Sequence, residues 1–564
     1  MRKFFFSLAR GEAKTEAFLS RFFLKKWHYL VTLPLLLLGL YILYFIFCFS
    51  TSTYAEHTGF RDGIAQGVFV GCYIAALLFG IFLLVFKGVF HTLHSRDFAR
   101  FAIFAGALSL LLYGFSLSFN SGDFSHDYGV YGGGGHWSII HQIYTTMSFP
   151  DVNLYNQTYQ PRLWHLTMAL FMKFNGIFVH VSNVVVPASG SYQVTMNEYI
   201  LLDMDRILMA YIGILTIYFI YRIYSYFGLQ GFVLAASTVL TSFTPTLWYV
   251  WFYRNNDGLA FFFEILALYF TLRYLKKQDW ASVLLTAVFI GLGMETKLNA
   301  GLISLYVAGV FIYILVKVIL AKKKGQPAFG NLTLKTFLLQ MVCFAAIVFP
   351  LGLGWSIYAK IKFNEPFGYV MDLGHDMNQG MYIDPSFYNP FLRYFAFPSP
   401  DLFFSIYNHR WMSQVNGAYV DKWGDLDFNC WTAFYKTAWF GEYDLTDTIS
   451  PIGSVFAHLF YYAFIWITMG TMLYSICRFV LLFKEDCAGF KGNHFLRYSV
   501  VALLVIAGGS YAYFCYAYPV GCTQNARYAM LLFLPLDILM AKAAYDSFHF
   551  FSHKLQKSEA KALH

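Results

Sequence analysis

Charge is scarce in this chain: only 13% of its 564 residues are Asp, Glu, Lys or Arg, about half the share of an ordinary soluble domain. That deficit excludes a disordered chain and argues against a large soluble enzyme. Cysteine is scarce too, with eight residues and no CxxC pair, so thiolate metal frameworks and dense disulfide scaffolds are excluded. Cys48, Cys72, Cys343, Cys477 and Cys515 fall inside apolar runs and behave there as small apolar side chains. Only Cys430 and Cys522 lie on one common side of the topology derived below, where pairing is open to them. The chain has no P-loop, no dinucleotide-binding glycine pattern and no internal repeat. The run Gly132 to Gly135 joins no strand to a helix, which favours a flexible connector over a phosphate cradle.

What the chain does contain is apolar and aromatic residues, 58% and 21% of the total. Runs such as Tyr29–Ser50, Gly67–Phe90 and Phe101–Phe119 are each long enough to cross a hydrocarbon core of roughly 30 Å. The first run is too long for a cleavable signal peptide and lacks a small-residue cleavage site. The expectation is an all-α polytopic membrane protein with about twelve spans, at 29–50, 66–90, 100–119, 203–222, 231–252, 258–275, 281–296, 299–320, 334–358, 452–483, 496–518 and 528–546.

The net charge of +9 follows the membrane rather than a nucleic-acid face. Arg2, Lys3, Arg10 and Lys14, then Lys276 and Lys277, Lys322 to Lys324, Lys484 and Lys491, and finally Lys554 and Lys557 alternate onto one side, so the positive-inside rule places both termini in the cytoplasm. The segment Leu163 to Val181 is apolar but contains Lys173. If it spanned, every later basic loop would change sides, so it reads as a juxtamembrane or re-entrant element on the outer face. Most of the acidic residues then fall outside, where two long loops, 120–202 and 360–451, dominate. Loops of that length are uncommon unless they work, and these are too aromatic to be disordered.

The first loop offers chemistry. Asp123 and His126-Asp127 lie just beyond a span, followed by His136-Trp137, Phe149-Pro150-Asp151 and Gln160-Pro161-Arg162-Leu163-Trp164-His165. A carboxylate at that depth is where a general base would meet a lipid-borne substrate; the plainer reading is a solvated loop aspartate. A zinc site from His126, Asp127, His136 and His141 is disfavoured, because a spacing of five does not put two histidines on one helical face. A divalent ion held by Asp127 and Asp151 with a substrate phosphate stays open. Arg254, Lys297 and Arg527 sit singly at outer span ends. Each alone is ordinary snorkelling, but several converging on one cavity would suit a lipid phosphate. Asp257 and Glu295 are their candidate structural partners. Trp439, Glu442 and Tyr443 in the second loop offer an acceptor-binding face or a packed cap.

The ordered pieces His126-Asp127, Gly135-His136, Phe149-Pro150-Asp151, Gln160 to His165, Arg254-Asn255-Asn256-Asp257-Gly258, Thr296-Lys297-Leu298, Lys436 to Glu442 and Arg527-Tyr528 resemble the C-type integral-membrane glycosyltransferases that use polyprenyl-phosphate sugars. The likeness is to the aminoarabinose and protein mannosyl transferase group. It covers roughly residues 100–546, leaving 1–99 as a cytoplasmic N-terminus with two extra spans and 547–564 as a cytoplasmic tail. The resemblance implies an inverting transfer from a polyprenyl-phosphate carrier to a glycan, lipid or protein hydroxyl, on the outer face of what would be a bacterial plasma membrane. Asp127 would be the general base, with Asp123 as the fallback. His126, His136, Arg162, His165, Arg254, Lys297 and Arg527 would bind the donor phosphate. Where relatives carry two consecutive prolines, this chain has Pro161-Arg162. The rival class is a transporter or lipid flippase, which needs midplane charge and repeated broken helices; Glu264 and Asp537 are the main mid-span acids.

Overall fold

The computed structural model describes residues 29–45, 135–154, 157–180, 185–187, 193–229, 231–252, 255–325, 332–367, 413–415, 418–420, 430–440, 494–517 and 524–545, with isolated positions besides. The expected spans at 66–90 and 100–119, and nearly all of 452–483, lie outside these residues.

Among the described residues the chain is a bundle of helices. Their order is α1 (Tyr29–Tyr44), α2 (His136–Thr146), α3 (Leu163–Asn175), α4 (Met196–Asp203), α5 (Asp205–Tyr226), α6 (Gly231–Ser242), α7 (Pro245–Phe252), α8 (Asp257–Lys277), α9 (Trp280–Thr296), α10 (Ile303–Lys323), α11 (Leu334–Gly352), α12 (Gly354–Phe363), α13 (Cys430–Phe440) and α14 (His494–Ala517). Short 3-10 helices, Leu298–Leu302 and Ala526–Leu532, lead into α10 and into the last span. Two small antiparallel hairpins, β1 (Val185–Pro187) with β2 (Gln193–Thr195) and β3 (Ser413–Val415) with β4 (Ala418–Val420), qualify the all-α expectation.

Six helices among the described residues are long and apolar enough to cross a membrane: Ile200–Tyr226, Asp257–Lys277, Leu298–Lys323, Leu334–Gly352, Tyr498–Ala517 and Ala526–Tyr545. The span expected at 231–252 is not one rod. Val233–Ser242 and Pro245–Phe252 meet at 57°, because Pro245 has no N–H to continue a helix and restricts Thr244 before it. The span expected at 334–358 likewise ends at Gly352, and after Leu353 a separate helix, α12, begins. Leu163–Asn175 is a helix of 13 residues, about 20 Å at 1.5 Å per residue and so short of a crossing. Gly176 follows it, and its N–H closes on the Met172 carbonyl.

The core runs along α8, which packs against α9 and α5, while α9 packs in turn against α11. Ile265, Ala267, Leu268, Val283 and Ala287 are fully enclosed there. By contrast Leu305, Ile312 and Val316 on α10, and Leu338, Leu339 and Val342 on α11, are exposed; an apolar helix with an exposed apolar stripe is what lipid, not water, covers. α1 is tied into this bundle, since Tyr44 Oη donates to Asp203 Oδ2 at 2.8 Å and Tyr41 Oη to Asn175 Oδ1 at 2.7 Å. Asp203 also pairs with Arg206 at 2.7 Å, so these span-end charges hold helices together.

Candidate active site at one rim of the bundle

α8 begins at Asp257 and ends in Lys276 and Lys277; α9 returns to Thr296, and α10 again ends in lysine at Lys322 and Lys323. The rim opposite those lysines therefore carries Asp257, Lys297 and the start of the Leu298–Leu302 turn. Asn255 Oδ1 accepts from the Asp257 N–H at 3.1 Å, a local Asx turn that starts α8. At the end of α9, Lys297 leaves the helix in an extended conformation (φ −158°, ψ 127°). Its ammonium then forms an ion pair with Asp257.

Arg527 arrives from another element. Asn525 Oδ1 accepts from the Arg527 N–H at 2.9 Å, starting the 3-10 helix. Arg527 Nη2 donates to Tyr528 Oη at 2.8 Å, and its guanidinium lies 4.9 Å from that ring's centre. Lys297 Nζ lies 5.0 Å from the same ring. Both distances are within cation–π range, so two cations meet the ring of one tyrosine. The Ala526 N–H is accepted by Thr437 Oγ1 at 2.9 Å, and the Thr437 carbonyl accepts from Thr246 Oγ1 at 2.8 Å. α13 is thereby fastened to this rim. Thr437 lies inside the Lys436 to Glu442 motif, the one sequence signal that marked it.

A cavity of about 470 Å³, counting its open mouth, lies beneath. Asp257, Glu264, Asn299, Ser510, Arg527 and Tyr528 are its polar lining, and Leu302 is at its edge. Leu302 is 40% exposed and begins the lipid-facing stripe of α10. Of the two mid-span acids, Glu264 faces this cavity, whereas Asp537 is buried and receives Thr241 Oγ1 at 2.5 Å.

His136, Arg162 and His165 form a second cluster, and it is enclosed. His136 Nδ1 and His165 Nε2 are 2.8 Å apart, joining the start of α2 to α3. His165 is 0% exposed. Burial, with His136 and Arg162 beside it, pushes its imidazole well below the usual histidine range, so it is neutral at pH 7 and corrects the expectation of a cation. Arg162 is 3% exposed, packed 4.5 Å from the Trp355 ring and 5.9 Å from Phe149. Nη2 is taken by the Thr158 and Pro150 carbonyls. Its pKa is lowered to about 9 by burial, against opposing pulls from Tyr358 and Asp151. Its Nε and Nη1 have no hydrogen-bond partner among the described residues, but the side chain is enclosed and does not line the rim cavity, so the expectation that it joins the rim cations at the donor phosphate is corrected.

Two bridges connect the clusters. Asn256 Nδ2 donates to Gln160 Oε1 at 2.5 Å and to the Thr296 carbonyl at 2.9 Å. Trp355 Nε1 donates to the Tyr159 carbonyl at 3.0 Å, while its backbone N–H goes to Glu295 Oε1 at 2.6 Å. Glu295 thus caps a helix; the expectation that it partners a rim cation is corrected, and Asp257 alone of the two fills that part. Trp355 was not singled out in the sequence.

His141 faces Glu198 at 3.4 Å, whereas His136 meets His165. Among the described residues no group of three His, Cys, Asp or Glu side chains converges on a metal position. Asp151 Oδ1 accepts from the Asn153 N–H at 2.9 Å in an exposed turn. Asp123, His126, Asp127, Arg254, Cys522, Glu442 and Tyr443 lie outside the described residues, as does the side chain of Trp439.

Comparison with known proteins places this rim in context. Residues 190–353 match the family model for dolichyl-phosphate-mannose-protein mannosyltransferase, a segment that includes Asp257, Glu264 and Lys297. No curated protein matches the chain. The solved S. cerevisiae protein O-mannosyltransferase complex bound to its sugar donor is similar at 16% identity and a TM-score of 0.32, over 52% of this chain and 36% of that one. The match thus spans about a third of the yeast chain's length. Residues 190–353 are thus similar to the dolichyl-phosphate-mannose-protein mannosyltransferase family.

Proposed function

We propose that the chain is a membrane glycosyltransferase that moves a sugar from a polyprenyl-phosphate carrier to an acceptor hydroxyl. The observation that carries this reading is the pairing of Lys297 and Arg527 on Tyr528, at a cavity that opens beside a lipid-facing helix, within and next to the segment similar to the mannosyltransferases. A phosphate at the rim would meet fixed positive charge there, and Arg527 offers a planar fork for its oxygens.

In this reading the donor enters laterally past Leu302 and its phosphate binds Arg527 and Lys297, with Arg254 and His126 as further contacts. Asp127 takes the proton from the acceptor hydroxyl as that oxygen attacks the anomeric carbon. The bond to the phosphate oxygen breaks, and the configuration inverts in the single displacement. Negative charge develops on the departing phosphate, where preorganised cations contribute most; general-base assistance adds about 10²- to 10⁴-fold. His136, His165 and Arg162 support the loop that presents these groups, and Trp439, Glu442 and Tyr443 cover the acceptor side. The active face is outward, the termini are cytoplasmic, and the membrane is a bacterial plasma membrane.

The test is an assay of purified, lipid-reconstituted protein against a panel of polyprenyl-phosphate sugars. Transfer from at least one donor, abolished in Asp127→Asn, is the expected result. Full activity in Asp127→Asn would remove Asp127 as the base, and no transfer from any donor would remove the reading.

A further inference from the structure

The rim opposite the candidate site carries a group of cations that the transfer reaction does not use. Tyr218, Arg222 and Tyr226 stand at intervals of four on α5, and Tyr269, Arg273 and Lys276 at intervals of four and three on α8, so each set forms one stripe down a helix face. The two stripes meet. The Arg222 guanidinium lies 5.8 Å from the Tyr218 ring and 5.9 Å from the Tyr269 ring. Tyr269 packs edge-on against Tyr226 at 5.3 Å, and Lys276 Nζ lies 4.6 Å from the Tyr226 ring. Ordinary snorkelling carries an arginine away from the middle of its span. Arg222 instead donates from Nη1 to Tyr218 Oη at 2.9 Å, to a residue one turn further in.

Tyrosine rings hold these side chains but do not cancel their charge. Among the described residues Asp279 is the one carboxylate paired with the group, 3.6 Å from Arg273 Nε, and it is already engaged in starting α9, where it accepts from the Ser282 N–H at 2.8 Å and from Ser282 Oγ at 3.0 Å. Arg222 and Lys276 have no acidic partner among the described residues. Arg222 is half-buried and Lys276 exposed, so both can be reached from outside the bundle. Trp280, 39% exposed at the head of α9, marks the level, since tryptophan favours the headgroup region. We propose that Arg222 and Lys276 form a binding site for the phosphate of an anionic phospholipid, separate from the donor site on the other rim. Arg222 offers a planar fork and Lys276 a point charge to its oxygens, and basic pockets between spans are where acidic headgroups bind. A zwitterionic headgroup would bring its own ammonium group toward the same cations, so the site selects for net negative charge.

Native mass spectrometry of the full chain in a neutral detergent, titrated with dioctanoyl phosphatidylglycerol, dioctanoyl phosphatidylcholine or inorganic phosphate, reads the affinity for the first molecule of each. Wild-type protein should hold phosphatidylglycerol in preference to phosphatidylcholine. Arg222→Gln combined with Lys276→Gln should weaken phosphatidylglycerol binding by about 30-fold, the joint effect of two cations facing an acidic headgroup. Lys277→Gln, at the exposed neighbouring lysine, should leave it unchanged. Undiminished affinity in the double variant, an equal loss in Lys277→Gln, or no preference in the wild type overturns the proposal. Inorganic phosphate that displaces the lipid at equal concentration would overturn the lipid as the ligand. If the double variant does not fold, Lys276→Gln, at an exposed side chain, decides alone: a preference for phosphatidylglycerol that falls supports the site, and one that stays overturns it.

Discussion

Lys297 and Asp257 form an ion pair whose two side chains are 17% and 4% exposed, with the aromatic ring of Tyr528 against the lysine. Removing one partner of so enclosed a pair leaves a charge without compensation. Lys297→Ala should therefore lower stability by about 3 kcal/mol. The double change Asp257→Asn with Lys297→Met should recover most of that loss in thermal denaturation without recovering donor affinity. Recovery of both would move Lys297 out of the donor site.

Arg162 gives a contrasting case. Its guanidinium stacks against Trp355 and holds the Thr158 and Pro150 carbonyls. Arg162→Ala should lower the melting temperature while leaving the apparent donor KM within about twofold. Arg162→Lys should rescue little, because an ammonium lacks the planar fork. A donor KM that rises many-fold at unchanged stability would return Arg162 to the phosphate site.

Acid should loosen the His136–His165 joint. The folded state holds His165 below its ordinary pKa through burial, His136 and Arg162, so the unfolded chain binds the extra proton first. Stability is then fully present above about pH 6.5 and falls as pH drops below it, by about 1.4 kcal/mol per unit for one proton. Melting temperatures between pH 8 and 5 check this: His165→Gln, which keeps a hydrogen-bonding group opposite His136, should show a shallower slope than the wild type.

Gly258 follows Asp257 at a crowded point. A Cβ there would lie 2.7 Å from Trp251 Cδ1, 3.0 Å from Met209 Cε and 3.2 Å from the Val250 carbonyl. Gly258→Ala should cost about 1–3 kcal/mol, the range for overpacking, and should weaken donor binding as well, since the strain falls beside Asp257. A neutral effect on both would show that the neighbouring side chains yield freely.

Among the described residues, α5, α8 and α10 were legible as apolar runs long enough to cross a membrane. The bend between α6 and α7 was written in Thr244-Pro245, but a run scored on hydropathy passes over it, since both halves are equally apolar. The limits of α11 were obscured in the same way by the apolar residues around Gly352 and Gly354. Lys297 and Arg527 were visible as isolated cations at span ends; that they share one tyrosine depends on helices 230 residues apart in the chain, which no local pattern encodes. The pairing of His136 with His165 was hidden for the same reason, and spacing directed attention to His141. Charge counting could not reveal that Arg162 is enclosed, because Trp355, the ring that covers it, comes from a helix far along the chain.

The cap that Glu295 places on α12 also determines how the bundle can move. Its Oε1 accepts the Trp355 N–H at 2.6 Å, and a side chain at Gly354 would collide with that same oxygen at 2.9 Å. The break after Gly352 is therefore a clamped elbow and not a hinge: α12 is pinned to the end of α9, and through Trp355 Nε1 it carries the 159–162 turn with it. Any opening of the rim must swing that turn, α12 and α9 as one piece.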